Sequence, residues 1–208
     1  MLLEIIKPFG PSIVKTRISL DLIKDLNDYI DNVIKDKKLS KTLDHGVNLA
    51  GNVNQEIQLD IEFMKKIKWA EYLGPICKEW IQKDLNKNLK DFRIKDSWVV
   101  RQFKNEYNPV HWHTGDISGV GYLKVPKNFG KTFQSNKTLN RNGEIELIDG
   151  SRKLFSDCTH VITPSVGDLY LFPSYLMHTV YPFFDSEEER RSVSFNAFID
   201  RETAALKS

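Results

Sequence analysis

The spacing of apolar residues changes at Phe92, and this change constrains the fold more than any other feature of the chain. Beyond it, apolar residues alternate with polar ones or form short runs between turns rich in Gly, Pro and Asn. About eight strands are predicted in this way, over 93–100, 103 onward, 117–125, 144–148, 160–162, 168–172, 178–183 and 191–199. Helical segments followed by many short strands predict an α+β protein whose β part is a double-sheet jelly roll.

Residues 1–91 are predicted to be mainly helical and to pack against this barrel, whose core spans 92–200. After one or two short strands within residues 2–18, Ser19 is predicted to cap a helix with apolar residues at every fourth position. A second helix is predicted from Ile61, with an aromatic stripe on its buried face and a break at Gly74-Pro75. The chain of 208 residues is therefore expected to form one domain.

Two stretches without any period are predicted to be loops. Residues 42–58 form a candidate lid, and His45 within them is expected to be solvated. Residues 126–142 are expected to form a mobile loop over one end of the barrel. Cys158 and His160 lie close together in the chain, but they lack partners at ligand spacing and are predicted to be packing residues.

The composition argues against several classes of partner. The net charge of +2 argues neither for nor against a partner, but no sustained basic stripe exists, so nucleic-acid binding is not expected. No window approaches the length of a membrane span, and the first residues lack the features of a signal peptide. The two cysteines show no disulfide or zinc-site spacing. We therefore expect a soluble cytoplasmic protein. The sequence does not decide between a monomer and a homodimer.

Histidines mark a candidate metal site. His111 and His113 follow a predicted strand, and extended backbone would direct both side chains to one face. Asp116 lies three residues on at a Gly-containing bend, and His178 lies at the mouth of another strand. Imidazole and carboxylate ligands without thiolates suit Fe(II), Mn or Zn better than a structural zinc site. A polar surface face explains the His111–His113 pair about equally well when that pair is taken alone.

The last predicted strand has one unusually polar face. Alternation places one set of side chains on this face, namely Arg190, Ser192, Ser194 and Asn196. Such a face suits a core only if something polar fills the space, and a dicarboxylate would do so. The guanidinium of Arg190 matches a carboxylate, and the Ser192 hydroxyl would add a second donor. The alternative is an edge strand whose polar face meets water.

Four blocks of residues, in this order, resemble one enzyme family. They are His111-Trp-His113, Ser118-Gly-Val-Gly-Tyr-Leu123, Phe172-Pro-Ser-x-x-x-His178 and Arg190-x-Ser192-x-Ser194-Phe-Asn196. This pattern resembles the 2-oxoglutarate- and Fe(II)-dependent oxygenases. More narrowly, it is similar to predicted members from marine bacteria and from phages of cyanobacteria, on the prolyl-hydroxylase-like branch. The resemblance covers roughly residues 95–200.

The resemblance implies a double-stranded β-helix that holds Fe(II) and uses 2-oxoglutarate and O2 as cosubstrates. In such a barrel, 2-oxoglutarate would bind the metal and reach Arg190 and Ser192 with its far carboxylate. Tyr122 would be a further contact to the cosubstrate. The implied activity is hydroxylation, located in the cytoplasm, or in the host cytoplasm if a phage encodes the chain.

The chain departs from the family at one ligand position. The usual pattern has an acid two residues after the first histidine, whereas this chain has His113 there. Either His111, His113 and His178 hold the metal, or Asp116 supplies the carboxylate and one of the histidine pair moves to an outer position. Spacing favours the first set, and the preference of Fe(II) oxygenases for two histidines and one carboxylate favours the second.

Three functional hypotheses follow. The first is a hydroxylase acting on an amino-acid side chain, with prolyl as one candidate, or on a small metabolite; its partner would be a peptide or a small molecule. The second is a cupin-like barrel that binds a metal as an isomerase or binding module without oxidation, where an all-histidine set is more at home. The third, a purely structural jelly roll, leaves the grouping of the histidines with Arg190 unexplained.

Overall fold

The computed structural model describes residues 3–132, 134, 136–152 and 154–205. The first half of the chain contains β1 (Glu4–Ile6), β2 (Ile13–Arg17), α1 (Leu20–Lys35), α2 (Lys37–Thr42), β3 (Gln55–Gln58), α3 (Ile61–Lys66) and α4 (Trp69–Leu85). The second half contains β4 (Phe92–Gln102), β5 (Asn108–His111), β6 (Ile117–Lys124), β7 (Ile145–Ile148), β8 (Thr159–Ile162), β9 (Asp168–Pro173), β10 (Met177–Val180), β11 (Arg190–Ile199) and α5 (Arg201–Ala204). Among all the described residues, no helix is long and apolar enough to cross a membrane.

The strands form two sheets, as the jelly-roll prediction requires. A seven-stranded sheet has the order β1-β2-β9-β6-β11-β4-β3, and a four-stranded sheet has the order β5-β10-β7-β8. Neighbouring strands in both sheets run antiparallel. The predicted double-stranded β-helix with N-terminal helices packed against it is thereby confirmed.

The helices cover the outer face of the large sheet. Ser19 caps α1 as predicted, because its side chain accepts a hydrogen bond from the backbone N–H of Leu22 at 3.3 Å. The apolar side of α1, with Leu26 and Ile30 completely buried, packs in one cluster with Phe195 of β11. Removing this much apolar surface from water holds the helical layer on the sheet.

Alternation along β11 separates this helical layer from the barrel interior. Val193 and Phe195 face the helices, whereas Arg190 and Ser192 face the space between the sheets. Gly119 of β6 permits the close packing, since a Cβ there would lie 2.3 Å from the ring of Phe195. The predicted polar face of β11 is thus an inner face of the barrel and not a solvated edge.

The boundary at residue 92 does not separate helices from the barrel. Three strands before it belong to the large sheet: β1 and β2 extend one edge, and β3 forms the other edge by pairing with β4. The prediction of a single loop over 42–58 is therefore wrong at β3. Four residues, Gln55–Gln58, give too short an alternating pattern to stand out beside the Asn and Gly before them.

Other local predictions also differ from the structure. The break in the second helical stretch falls at Lys68, whose left-handed backbone (φ 54°) separates α3 from α4, while Pro75 lies inside α4. Packing of α4 on the sheet outweighs the backbone hydrogen bond that Pro75 cannot donate. The expected strand from Phe103 is a turn before β5. Residues 126–142 carry no helix or strand where described; residues 133 and 135 lie outside the described residues.

Candidate active site

Pairing of two strands brings the predicted histidines together. His178 on β10 lies directly opposite His111 at the end of β5. His113 follows β5, and its backbone N–H donates to the Ser174 carbonyl at 3.0 Å, which holds this turn against the start of β10. One ligating nitrogen from each of the three imidazoles lies within 4.8 Å of the other two. Sequence reasoning therefore found a real cluster, although His113 lies just beyond the strand.

Backbone carbonyls fix the orientation of two of these rings. The Nδ1 atom of His111 lies 2.7 Å from the Pro109 carbonyl, and the Nδ1 atom of His178 lies 3.0 Å from the Leu176 carbonyl. A carbonyl oxygen only accepts, so each Nδ1 donates its proton and each Nε2 keeps a free lone pair. Histidines that ligate metals are commonly oriented by an outer hydrogen bond of this kind.

Burial keeps these imidazoles neutral. It lowers the pKa of His113 and of His178 to about 3, and the neighbouring histidines contribute in the same direction. Burial also lowers the pKa of His111. Neutral imidazole is the form that binds a metal ion, so the cluster is ready to accept one at neutral pH.

Asp116 does not join this cluster. Its carboxylate accepts a hydrogen bond from the Ile199 backbone N–H at 2.9 Å and lies 3.5 Å from the guanidinium of Arg201. These contacts hold Asp116 against the end of β11, so the expectation that it completes the metal site is not met. Among the described residues, the group able to hold a metal consists of the three histidines without a carboxylate.

The three residues predicted to contact the cosubstrate lie side by side. Ser192 of β11 pairs with Tyr122 of β6, and the guanidinium of Arg190 lies 5.1 Å from the centre of the Tyr122 ring. All three side chains are buried. Arg190 donates from Nε to the Gly143 carbonyl at 3.1 Å, which anchors the guanidinium from one side.

Two polar atoms in this group have no partner among the described residues, namely Nη2 of Arg190 and the hydroxyl of Tyr122. Buried polar atoms of this kind are rare in folded proteins, because losing water without a replacement hydrogen bond is costly. Burial also raises the pKa of Tyr122 to about 12, so its hydroxyl remains a donor. The two atoms thus offer donors to a buried acceptor that the protein does not supply.

One cavity joins the histidine cluster to this donor group. The three histidines, Arg190 and Ser192 all line it, and its apolar walls include Val120, Ile145 and Phe172. A ligand in this cavity could contact both a metal held by the imidazoles and the guanidinium of Arg190. The apolar walls would keep water from both.

Sequence reasoning missed two further residues near this cavity. Glu56 of β3 lines it and is only 3% exposed; burial, with a smaller contribution from Asp44, raises its pKa to about 7. His45 was predicted to be solvated, but it is buried and its ring lies 5.6 Å from that of Trp98. The positions of Glu56 and His45 depend on the pairing of β3 with β4. The only sign of β3 in the sequence is an alternation of polar and apolar residues over four positions.

Comparison with known proteins agrees with this geometry. A family model described as "Putative 2OG-Fe(II) oxygenase" matches residues 96–196, which include every predicted site residue. The predicted resemblance to the 2OG-Fe(II) oxygenase family is thereby confirmed over these residues. The family is defined by Fe(II) and 2-oxoglutarate, and the prediction of these cofactors is confirmed at that level. No curated protein matches the chain significantly.

Solved 2OG oxygenases share the fold. A prolyl-4-hydroxylase from Pseudomonas putida is 16% identical, with 91% of this chain and 92% of that chain covered and a TM-score of 0.54. A viral collagen prolyl hydroxylase from Paramecium bursaria Chlorella virus-1, in complex with 2OG, is 15% identical, with 89% and 94% covered and a TM-score of 0.53. HygX from Streptomyces hygroscopicus, with nickel, 2-oxoglutarate and hygromycin B bound, is 11% identical, with 89% and 82% covered and a TM-score of 0.57.

Proposed function

We propose that this protein is a 2OG-Fe(II) dioxygenase that hydroxylates a small molecule or an amino-acid side chain. One observation carries the proposal: a single cavity contains three neutral imidazoles and a buried guanidinium whose Nη2 has no partner among the described residues. The first arrangement suits a divalent metal and the second suits a carboxylate.

The residues present fit both cofactors. Nε2 of His111 and of His178 is free to ligate, and the third imidazole of His113 lies within the same reach. 2-Oxoglutarate carries a carboxylate at each end, so one end can approach the metal while the other accepts from Arg190. The hydroxyls of Ser192 and Tyr122 lie on the adjacent positions of β11 and β6 and supply further donors.

The protein's part in the reaction is to hold and to orient. Bound Fe(II), with 2-oxoglutarate and O2, supplies the oxidising chemistry. His111 and His178 on paired strands, with His113 just after β5, would hold the metal; these histidines stay neutral, so they move no proton. Arg190 and Ser192 fix the cosubstrate through its far carboxylate, and the apolar walls exclude water from the reacting centre.

The three-histidine group supports one alternative function. A cupin-like metal barrel that acts as an isomerase or binding module would use such a ligand set without any cosubstrate. The absence of a carboxylate from the described cluster favours this reading, whereas the unpartnered guanidinium of Arg190 favours the oxygenase. The two proposals differ in whether 2-oxoglutarate binds to the metal-loaded protein.

Anaerobic titration of the purified protein with Fe(II) and then 2-oxoglutarate tests the proposal. We expect a saturable visible charge-transfer band that requires both components. The His178→Ala variant should lose both the band and bound iron, because it removes a buried ligand. The His160→Ala variant is the matched control, since His160 lies on β8 outside the cluster and should keep the band.

The outcomes separate the two functions. Bound iron without any change on addition of 2-oxoglutarate would favour the cupin-like barrel. Full iron occupancy in the His178→Ala variant would refute the histidine site itself. For the wild-type protein, formation of succinate from 2-oxoglutarate in air would then establish the oxygenase reaction before its substrate is known.

A further inference from the structure

Glu56 is a buried carboxylate in the active-site cavity that the proposed chemistry does not use. It lies on β3, opposite Val100 of β4, and points to the inner face of the barrel, where it lines the same cavity as the histidines. Its exposed fraction is 3%, and its Oε1 atom has no hydrogen-bond partner among the described residues. A buried carboxylate oxygen without a donor is costly, so its retention in a binding cavity calls for an explanation.

The surroundings of Glu56 contain acceptors where a structural carboxylate would have donors. A Cβ on Gly51 would lie 2.6 Å from Oε1 of Glu56 and 3.2 Å from Oδ1 of Asn108, so both oxygens lie against the backbone of Gly51. A Cβ on Gly46 would lie 3.5 Å from Oε2 of Glu56 and 3.3 Å from the carboxylate of Asp44. Several oxygen atoms close together favour a positively charged or donor-rich ligand group.

The chain supplies no cation of its own at this point. Lys37 and Lys41 line a second groove that Glu56 also borders, yet neither forms an ion pair with it among the described residues. Trp98 lines the active-site cavity together with Glu56, and aromatic rings attract cations.

We propose that Glu56 determines substrate specificity by binding a protonated amine of a small-molecule substrate. This inference rests on the proposed oxygenase function and names the chemical class of the substrate, an amine-bearing small molecule. In this arrangement the ammonium donates to Oε1 of Glu56 and to Oδ1 of Asn108. Gly51 allows its backbone to lie against this carboxylate, since a Cβ there would lie 2.6 Å from Oε1 of Glu56.

Binding under argon tests the inference without turnover. The protein is loaded with Mn(II) in place of iron and with 2-oxoglutarate, and titrated calorimetrically with the common L-amino acids, cadaverine and agmatine. Each compound is paired with its N-acetyl derivative. We expect the tightest ligand to carry a free amine and to lose at least about tenfold in affinity when that amine is acetylated.

Two variants identify the partner of the amine. Glu56→Gln keeps the size of the side chain but removes the charge, and it should weaken the amine at least about tenfold without changing the affinity for 2-oxoglutarate. Gly51→Ala keeps the charge but would place a methyl group 2.6 Å from Oε1 of Glu56, so it should displace the carboxylate and weaken the same ligand. Glu62→Gln is the control, since Glu62 lies exposed on α3 in an ion pair with Lys65.

The outcomes distinguish this inference from the proposed function. Equal binding of the best amine by the wild-type protein and by Glu56→Gln would overturn the inference, as would 2-oxoglutarate binding without binding of any amine in the panel. Failure of the wild-type protein to bind 2-oxoglutarate would instead refute the proposed function on which the inference rests.

Discussion

Two adjacent arginines on β11 show how differently one strand can use the same buried side chain. Arg190 and Arg191 are 2% and 1% exposed, and alternation turns them to opposite faces of the large sheet. Arg191 faces the helices and is fully partnered: it donates to Oδ1 of Asn27 at 3.0 Å, to Asp31 at 2.7 Å and to Glu189 at 2.7 Å. Its charge ties helix α1 to the sheet.

Arg190 faces the cavity and is left incomplete. It donates to the Gly143 backbone carbonyl and lies beside the Tyr122 ring, while Nη2 has no hydrogen-bond partner among the described residues. The side chain is almost completely buried, so only a group within the cavity can supply the missing partner. The comparison teaches that burial alone does not mark a functional charge in this protein; what marks it is burial without a full set of partners.

Removing Arg191 gives the largest expected effect and tests the structural half of the comparison. Arg191→Ala should lower the free energy of unfolding by about 4 kcal/mol, because it removes a fully buried side chain together with its packing and its hydrogen bonds to Asn27, Asp31 and Glu189. Urea denaturation measures this change. The remaining folded protein should bind 2-oxoglutarate as the wild-type protein does. A loss of less than about 1 kcal/mol would show that the network does not hold α1 to the sheet.

Removing Arg190 should weaken the binding of 2-oxoglutarate and change the stability little, the opposite of the effect of removing Arg191. Arg190→Ala is expected to weaken 2-oxoglutarate at least about 100-fold, or about 3 kcal/mol, because the far carboxylate loses its charged partner. The free energy of unfolding should change little, since a buried and incompletely partnered charge is removed with the side chain. Anaerobic titration and urea denaturation measure the two quantities. Unchanged 2-oxoglutarate affinity would favour the cupin-like barrel instead.

The two arginines also show what the sequence could and could not reveal. Alternation along ten residues of β11 is long enough to assign Arg190 and Ser192 to one face, and the structure bears this out. The same reasoning failed at Glu56, because β3 has only four residues and its position depends on pairing with β4. Likewise, the sequence could not decide whether His113 or Asp116 is the third metal ligand. The structure separates the two residues, because the Asp116 carboxylate accepts a hydrogen bond from the Ile199 backbone and lies outside the histidine cluster.

Two carboxylates, Glu189 and Glu56, differ in the same way as the two arginines, and the difference can be tested by varying the pH. Burial alone would raise the pKa of Glu189, but hydrogen bonds from Arg101 and Arg191 outweigh it and lower the pKa. Burial raises the pKa of the unpartnered Glu56 from 4.5 to about 7. Glu56 therefore favours the folded state most below pH 4.5, and that contribution is lost as pH rises through about 7.

Substitution of Glu56 should remove this pH dependence. A shift of this size corresponds to at most about 3 kcal/mol, and solvent screening reduces our expectation to about 2 kcal/mol. In metal-free protein kept in EDTA, the Glu56→Gln variant should gain stability relative to the wild-type protein between pH 5 and pH 8. Melting temperatures across this range measure the difference. A difference in melting temperature that does not change with pH would show that the Glu56 carboxylate has a hydrogen-bond or ion-pair partner in solution.

Asp116 should give the smallest effect, and it tests whether a partnered carboxylate close to the metal site is purely structural. Its carboxylate accepts from the Ile199 backbone at 2.9 Å, and an amide oxygen can accept the same bond. Asp116→Asn should therefore cost about 1 kcal/mol of stability or less and leave the affinity for Fe(II) unchanged. The His178→Ala variant, measured in parallel, should lose bound iron. Equal loss of bound iron in both variants would show that Asp116 is a metal ligand. Its carboxylate would then have to give up the hydrogen bond from Ile199 in order to bind the metal.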